Sequence, residues 1–154
     1  MSNENKKSWF RRYKNQVNTI KRLEERREIL EERITSIRSP NYSGMPRGGT
    51  PVTIADLLSD KAEVEERIRR GKDKARSIRR EILEVIDSID EVNHAEVIEY
   101  RYIDCLDPDE ISEIIGYSPR HIHRILTQAI EAVDIPGLND PEEVVRSGDL
   151  NQVE

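Results

Sequence analysis

The sequence holds a single cysteine, a single tryptophan and a single phenylalanine, and aromatic residues make up only 5% of it. One thiol cannot close an internal disulfide, so a cross-linked secreted scaffold is excluded. No run approaches the roughly 18 consecutive apolar residues that a membrane span requires. The opening MSNENKKSWF lacks the apolar stretch of a secretory signal, so a cytoplasmic protein with no membrane partner is expected. Hydrophobic residues reach 35% against 36% charged ones, too few for a large buried core. The 154 residues leave room for one domain or two small ones. Apolar residues still recur at helical intervals, so the charge reads as solvated helix surface and the chain as all-α, folded and elongated.

The net charge of −6 hides an asymmetry. Residues 1–39 carry 11 Lys and Arg against 6 Asp and Glu, whereas residues 91–117 carry 1 against 8. From Asp134 to Glu154 the count is 1 against 6, with Pro136, Gly137, Pro141 and Gly148 interrupting any period. Residues 134–154 are therefore expected to form a disordered acidic tail.

Trp9, Tyr13, Gln16, Ile20, Leu23, Arg27, Leu30, Ile34 and Ile37 follow one another at steps of three and four, the seam of a coiled coil. A second seam runs through Ile54, Leu57, Lys61, Val64, Ile68, Gly71, Ala75, Ile78, Ile82, Val85 and Ile89. The pattern predicts helices over about Trp9–Arg38 and Thr53–Asp90, broken by the Pro- and Gly-rich loop 39–52. Folding the chain back in an antiparallel hairpin sets Ile20 beside Gly71 and Gln16 beside Ala75, large groups against small ones. Val17, Ile29, Leu58, Leu83 and Ile86 widen the apolar stripes beyond what two helices cover. Either the C-terminal helices cover them or the chain is a homo-oligomer built on residues 1–90. The loop glycines Gly44, Gly48 and Gly49 do not make a nucleotide cradle, because a helix precedes them and no lysine follows.

Residues 91–133 carry two helix starts. Asp107, Pro108 and Glu110 form a cap, first helical residue and capping-box carboxylate, and Ser118 with Pro119 repeats the start. The helix between them spans two turns, Pro108 to Ile115, and Gly116 can close it in the left-handed conformation. A short helix, a tight glycine turn and a longer helix make the layout of a helix-turn-helix. Spacing places Val97, Ile98, Leu106, Ile111, Ile114, Ile115, Tyr117, Ile122, Leu126, Ala129, Ile130 and Val133 inward. Arg120, His121, His123, Arg124, Thr127 and Gln128 remain outward. Arginine can bridge guanine N7 and O6, and glutamine adenine N6 and N7, so this set suits base reading. The N–H groups near Ser118 suit a phosphate.

The run Arg101-Tyr102, Leu106, Glu110-Ile111, Gly116, Ser118, Ile122, Arg124 and Ala129 resembles the promoter-binding region 4 of bacterial sigma factors. With SPNYSGMPRGG ahead of it, residues 9 to 133 resemble small phage and prophage regulators of the ArpU and RinA late-transcription type. The resemblance implies a sequence-specific DNA-binding regulator in a bacterial host. By position it puts Ser118, Arg120, His121, His123, Arg124 and Gln128 on double-stranded DNA. Cys105 stands where such domains often have Gly, and Ser112 where they often have Ala.

Simpler roles compete with these. His121 and His123 are two apart and point in different directions, so no metal site is expected from them with His94 and Cys105. Cys105 has no neighbouring base, and no catalytic constellation or cofactor motif appears, so an enzyme is not expected. Lys6, Lys7, Arg11, Arg12 and Lys14 offer either phosphate contacts or a solvated helix start. The acidic face Asp104, Asp107, Asp109, Glu110 and Glu113 suits a basic partner such as host RNA polymerase. A small terminase-like DNA-packaging subunit is the other alternative, although a DNA-binding part placed first would suit it better.

Overall fold

The computed structural model describes residues 2–38 and 53–138. The loop 39–52 and all but the first residues of the expected acidic tail lie outside them. The described chain is all-α. Its elements are α1 (Asn3–Arg38), α2 (Ile54–Asp87), α3 (Val92–Tyr102), α4 (Pro108–Ile115) and α5 (Pro119–Ala132). No helix among the described residues is long and apolar enough to cross a membrane.

The helix starts follow from local chemistry. At α1 the Ser2 hydroxyl accepts from the Glu4 N–H at 3.3 Å, so the helix opens six residues earlier than the apolar period, which begins at Trp9. Polar residues at the start gave that period nothing to register. At α2 the Thr53 hydroxyl accepts from the Asp56 N–H at 3.2 Å while the Asp56 carboxylate accepts from the Thr53 N–H at 3.3 Å. This reciprocal cap satisfies two of the donors that a helix start leaves open. The same helix ends at Asp87, short of the expected Asp90, and the Ser88 hydroxyl donates to the Val85 carbonyl at 2.6 Å.

Two compact units divide the chain. Asn15–Ser77 forms one; Met1–Lys14 with Ile78–Glu154 forms the other. Apolar residues of α1 up to Lys14 and of α2 from Ile78 pack with α3 and α5.

Within Asn15–Ser77, Ile20, Leu23, Leu30 and Ile34 of α1 are buried, as are Leu57, Val64, Ile68 and Ala75 of α2. The Gln16 side-chain N–H donates to the Gly71 carbonyl at 3.1 Å. A Cβ at Gly71 would stand 3.1 Å from Ile20 Cγ1, so only glycine admits this approach without displacing Ile20. Lys61 bridges Glu31 at 3.6 Å and Glu65 at 3.7 Å, and Lys72 pairs with Glu24 at 3.4 Å. Val17, Ile29 and Leu58 stay exposed, and so does Ile37, which the seam placed inward.

The second unit has a continuous core. Phe10 of α1, Ile82, Val85 and Ile86 of α2, Ile98 and Tyr102 of α3, and Ala129 and Ile130 of α5 pack together. Leu83 packs against the same cluster. Leu83 and Ile86 therefore need no second chain, and the C-terminal helices cover them. A smaller cluster of Val97, Ile111, Ile122 and Ile125 ties α3, α4 and α5 into one body. Ile135 and Val133 are also buried, so the described start of the expected tail is anchored core. Lys6 completes the unit: its ammonium donates to the carbonyls of Ile130, Glu131 and Val133 at 3.2, 3.2 and 2.7 Å. These are orphan acceptors at the end of α5, where a cation also meets the negative end of the helix dipole.

Between α3 and α4 the chain turns through Cys105, whose φ of 57° is left-handed. A side chain in that region costs about 1–2 kcal/mol, which glycine avoids. The sulfur reaches only the carbonyls of Ile103 and Tyr102, at 3.7 and 4.0 Å. Cys105→Gly should therefore raise stability by about 0.5–1 kcal/mol after the added freedom of the unfolded chain is subtracted. Cys105→Val, β-branched, should lower it. Urea unfolding midpoints of the two variants test the order, and a less stable glycine variant would refute it.

Candidate nucleic-acid interface

The short helix α4 begins with both halves of a capping box. Asp107 accepts from the Glu110 N–H at 2.9 Å, and Glu110 accepts from the Asp107 N–H at 3.1 Å. It closes at Gly116, whose φ of +88° is the left-handed conformation and whose N–H donates to the Ser112 carbonyl at 2.8 Å. The Ser112 hydroxyl donates to the Tyr117 carbonyl, pinning the turn that follows. That bond gives Ser112 a role alanine could not fill. Arg101 acts similarly on the preceding turn, donating to the Leu106 carbonyl at 3.0 Å.

Ser118 caps α5 by accepting from the His121 N–H at 3.2 Å, and Pro119 occupies the first helical position. Ile122, Ile125, Ala129 and Ile130 then turn inward and are buried. Ile125 is one residue the spacing argument missed; Leu126, chosen in its place, is half-buried. Both apolar neighbours fit the period, and only the position of α3 decides between them.

The opposite face of α5 is open. Arg120, Arg124 and Gln128 stand at successive steps of four and are all exposed, with His123 and Thr127 bordering the row. No carboxylate among the described residues pairs with Arg120 or Arg124. Thr127 is less free, since its hydroxyl donates to the His123 carbonyl at 3.0 Å. His121 lies off the row: its ring meets the Tyr117 ring edge-on at 4.7 Å and it is half-buried. The Ser118 hydroxyl is occupied by its cap. Of the six residues expected on DNA, four thus share or border one exposed face and two serve the start of the helix.

No family model, curated protein or solved structure matches this chain.

The N-terminal cations are differently placed. Lys6 is committed to the end of α5 as described. Arg12 donates to Glu81 at 2.8 Å and to the Trp9 carbonyl at 3.0 Å, with its guanidinium 4.7 Å over the Trp9 ring. Lys7 pairs with Glu4 at 3.1 Å, and Arg11 stands 4.0 Å from the same carboxylate. Lys6 and Arg12 thus donate to partners inside the unit.

Two residues that spacing placed inward are on the surface. Ile114 is 55% exposed and Tyr117 38%. A helix of two turns buries one narrow face, and Ile111 fills it. Burial pushes the Cys105 thiol above its ordinary range, which favours the protonated, unreactive form. Among the described residues no group of three His, Cys, Asp or Glu is placed to hold a metal ion.

Proposed function

We propose that this chain is a sequence-specific DNA-binding regulator, a binding protein rather than an enzyme, which reads double-stranded DNA with the outer face of α5. On this reading α4, the Gly116 turn and α5 act as a helix-turn-helix of the sigma region 4 type. The two long helices act as an antiparallel hairpin through which copies dimerise. The single observation that carries it is the exposed row Arg120, Arg124 and Gln128, with no carboxylate partner for either arginine among the described residues, on a helix whose other face is locked into the core. Two arginines and a glutamine on one helical face match the donors and acceptors of guanine and adenine edges in the major groove. The resemblance of residues 9 to 133 to phage late-transcription regulators supports phage or prophage genes in a bacterial cytoplasm as the setting. Val17 and Leu58, exposed in Asn15–Ser77, support self-association.

Selection of bound sequences from random duplex DNA tests both parts together. A defined motif is expected, repeated or palindromic with half-sites spaced by about one helical turn if the protein dimerises. A single undivided motif would remove the dimer, and no enrichment would remove DNA reading. Exposed Ile114, next to Glu113 and one turn from Glu110, favours a second reading, in which α4 contacts host RNA polymerase. Failed selection combined with retention on purified polymerase would put that reading first.

A further inference from the structure

The cations of Asn15–Ser77 fall into two groups. Arg69 donates to Glu66 at 2.6 and 3.0 Å and Arg70 to the same carboxylate at 3.1 Å. Arg69's hydrogen bond above all holds Glu66 down to about 2. Arg76 pairs with Asp73 at 2.9 Å, and Lys61 and Lys72 have the glutamate partners described above. By contrast, no carboxylate among the described residues pairs with Lys21, Arg22, Arg26, Arg27, Arg33, Arg38, Arg67 or Lys74.

Three of these unpaired arginines lie together. Arg22 and Arg26 stand one turn apart on α1, and with Arg67 of α2 they line an open groove of about 320 Å³ beside Ile29. Glu25 is the one carboxylate in its lining, and it bridges none of the three. An adjoining groove shares Arg26 and Arg67 and adds Arg33, but Asp60 and Glu63 also line it, so its charge is nearly balanced. The excess positive charge therefore sits at the Arg22 end. Like charges on one groove repel unless an anion or water screens them. The Thr19 hydroxyl donates to the Asn15 carbonyl at 3.1 Å, which leaves the guanidinium groups as the donors facing the groove.

We infer that the groove lined by Arg22, Arg26 and Arg67 holds the phosphodiester backbone of double-stranded DNA. This rests on the reading of the chain as a DNA-binding protein and adds to it a contact that carries no base information. Guanidinium groups bind phosphate oxygens through paired, charge-assisted hydrogen bonds. An acidic partner helix fits less well, because Ile29 is the one exposed apolar side chain in the lining and a docking helix needs a row of them. Phosphate contacts position a protein on the duplex, whereas base contacts choose the sequence.

The test uses the full chain and the combined variant Arg22→Ala, Arg26→Ala, Arg67→Ala. Binding to a selected duplex and to a scrambled one is titrated between 50 and 200 mM salt. Both affinities should fall by the same factor, about eightfold per arginine near 0.1 M salt, and the slope of log K on log salt should flatten by about 0.9 per arginine. The ratio between duplexes should not move. Lys61→Ala with Lys72→Ala, which removes paired charges from the same unit, should leave the slope nearly unchanged. Arg22, Arg26, Arg67 and Lys72 are exposed and Lys61 is half-buried, and coincident melting curves confirm intact folding. An unchanged slope in the arginine variant, with the parent binding normally, overturns the inference alone. Loss of self-association with DNA binding intact also overturns it, by assigning the groove to a second copy. If the parent binds neither duplex, the DNA-binding reading fails as well.

Discussion

Phe10→Ala should lower the unfolding free energy of its unit by about 3–5 kcal/mol, the range for removing a fully buried aromatic ring. Phe10 is the chain's one phenylalanine, and none of it reaches solvent. Its ring stacks on Tyr102 with centroids 5.0 Å apart and meets the Trp9 ring edge-on at 5.1 Å. Around it lie Ile82, Ile98 and Ile130, from three different helices. Truncation to alanine leaves a cavity where these elements meet, and the surrounding helices are too constrained to collapse into it. Deletion of the first 14 residues should be harsher still, since it also removes Trp9, Tyr13 and the Lys6 ammonium that ends α5. The remaining C-terminal helices are then expected not to fold alone. Val17→Ala, at a position 36% exposed on the same helix, should cost less than about 0.5 kcal/mol. Urea unfolding followed by circular dichroism separates the cases. A loss below about 1 kcal/mol for Phe10→Ala would mean that the N-terminus only decorates the C-terminal helices.

Phe10 also marks where the sequence stopped being readable. It sits next to Trp9, and the three-four rhythm accepted Trp9 as the seam residue, yet Phe10 is the one enclosed. A periodic pattern names a face to within one position; which neighbour is buried depends on a partner far along the chain. Ile125 and Leu126 repeat the ambiguity on α5. The caps were more legible because their chemistry is local: Asp107, Glu110, Gly116 and Ser118 take part in the bonds and dihedral angle that their identities suggested. The left-handed φ of Cys105 was not legible, because no feature of a cysteine announces that backbone conformation. Lys6 was not legible at all. Nothing within its own helix announces that it reaches carbonyls 124 to 127 residues away. For the same reason the period does not show that α1 up to Lys14 and α2 from Ile78 pack with the C-terminal helices. The exposed row on α5 was legible from period alone, because polar residues on the far side of a buried stripe need no partner to be placed.

That row carries the second large effect. Arg120→Ala or Arg124→Ala should each weaken binding to the selected sequence by about 1–3 kcal/mol if the guanidinium bridges guanine N7 and O6, roughly a fivefold to 150-fold loss. Neither side chain has a carboxylate partner among the described residues, so neither substitution removes a fold contact of that kind. Ile122→Asp is the contrasting case. Ile122 is fully buried in the cluster with Val97 and Ile111, so a charge there should unfold the helices, and lost binding would then say nothing about reading.

The most direct measurement is therefore a titration of the parent, Arg120→Ala and Arg124→Ala against selected and scrambled duplexes at one fixed salt concentration. Reading by α5 predicts that at least one arginine variant loses most of its preference for the selected duplex. Its affinity for the scrambled one should change far less, and its melting curve should match the parent's. Equal preference in all three proteins would contradict the account and move the base-reading surface away from α5.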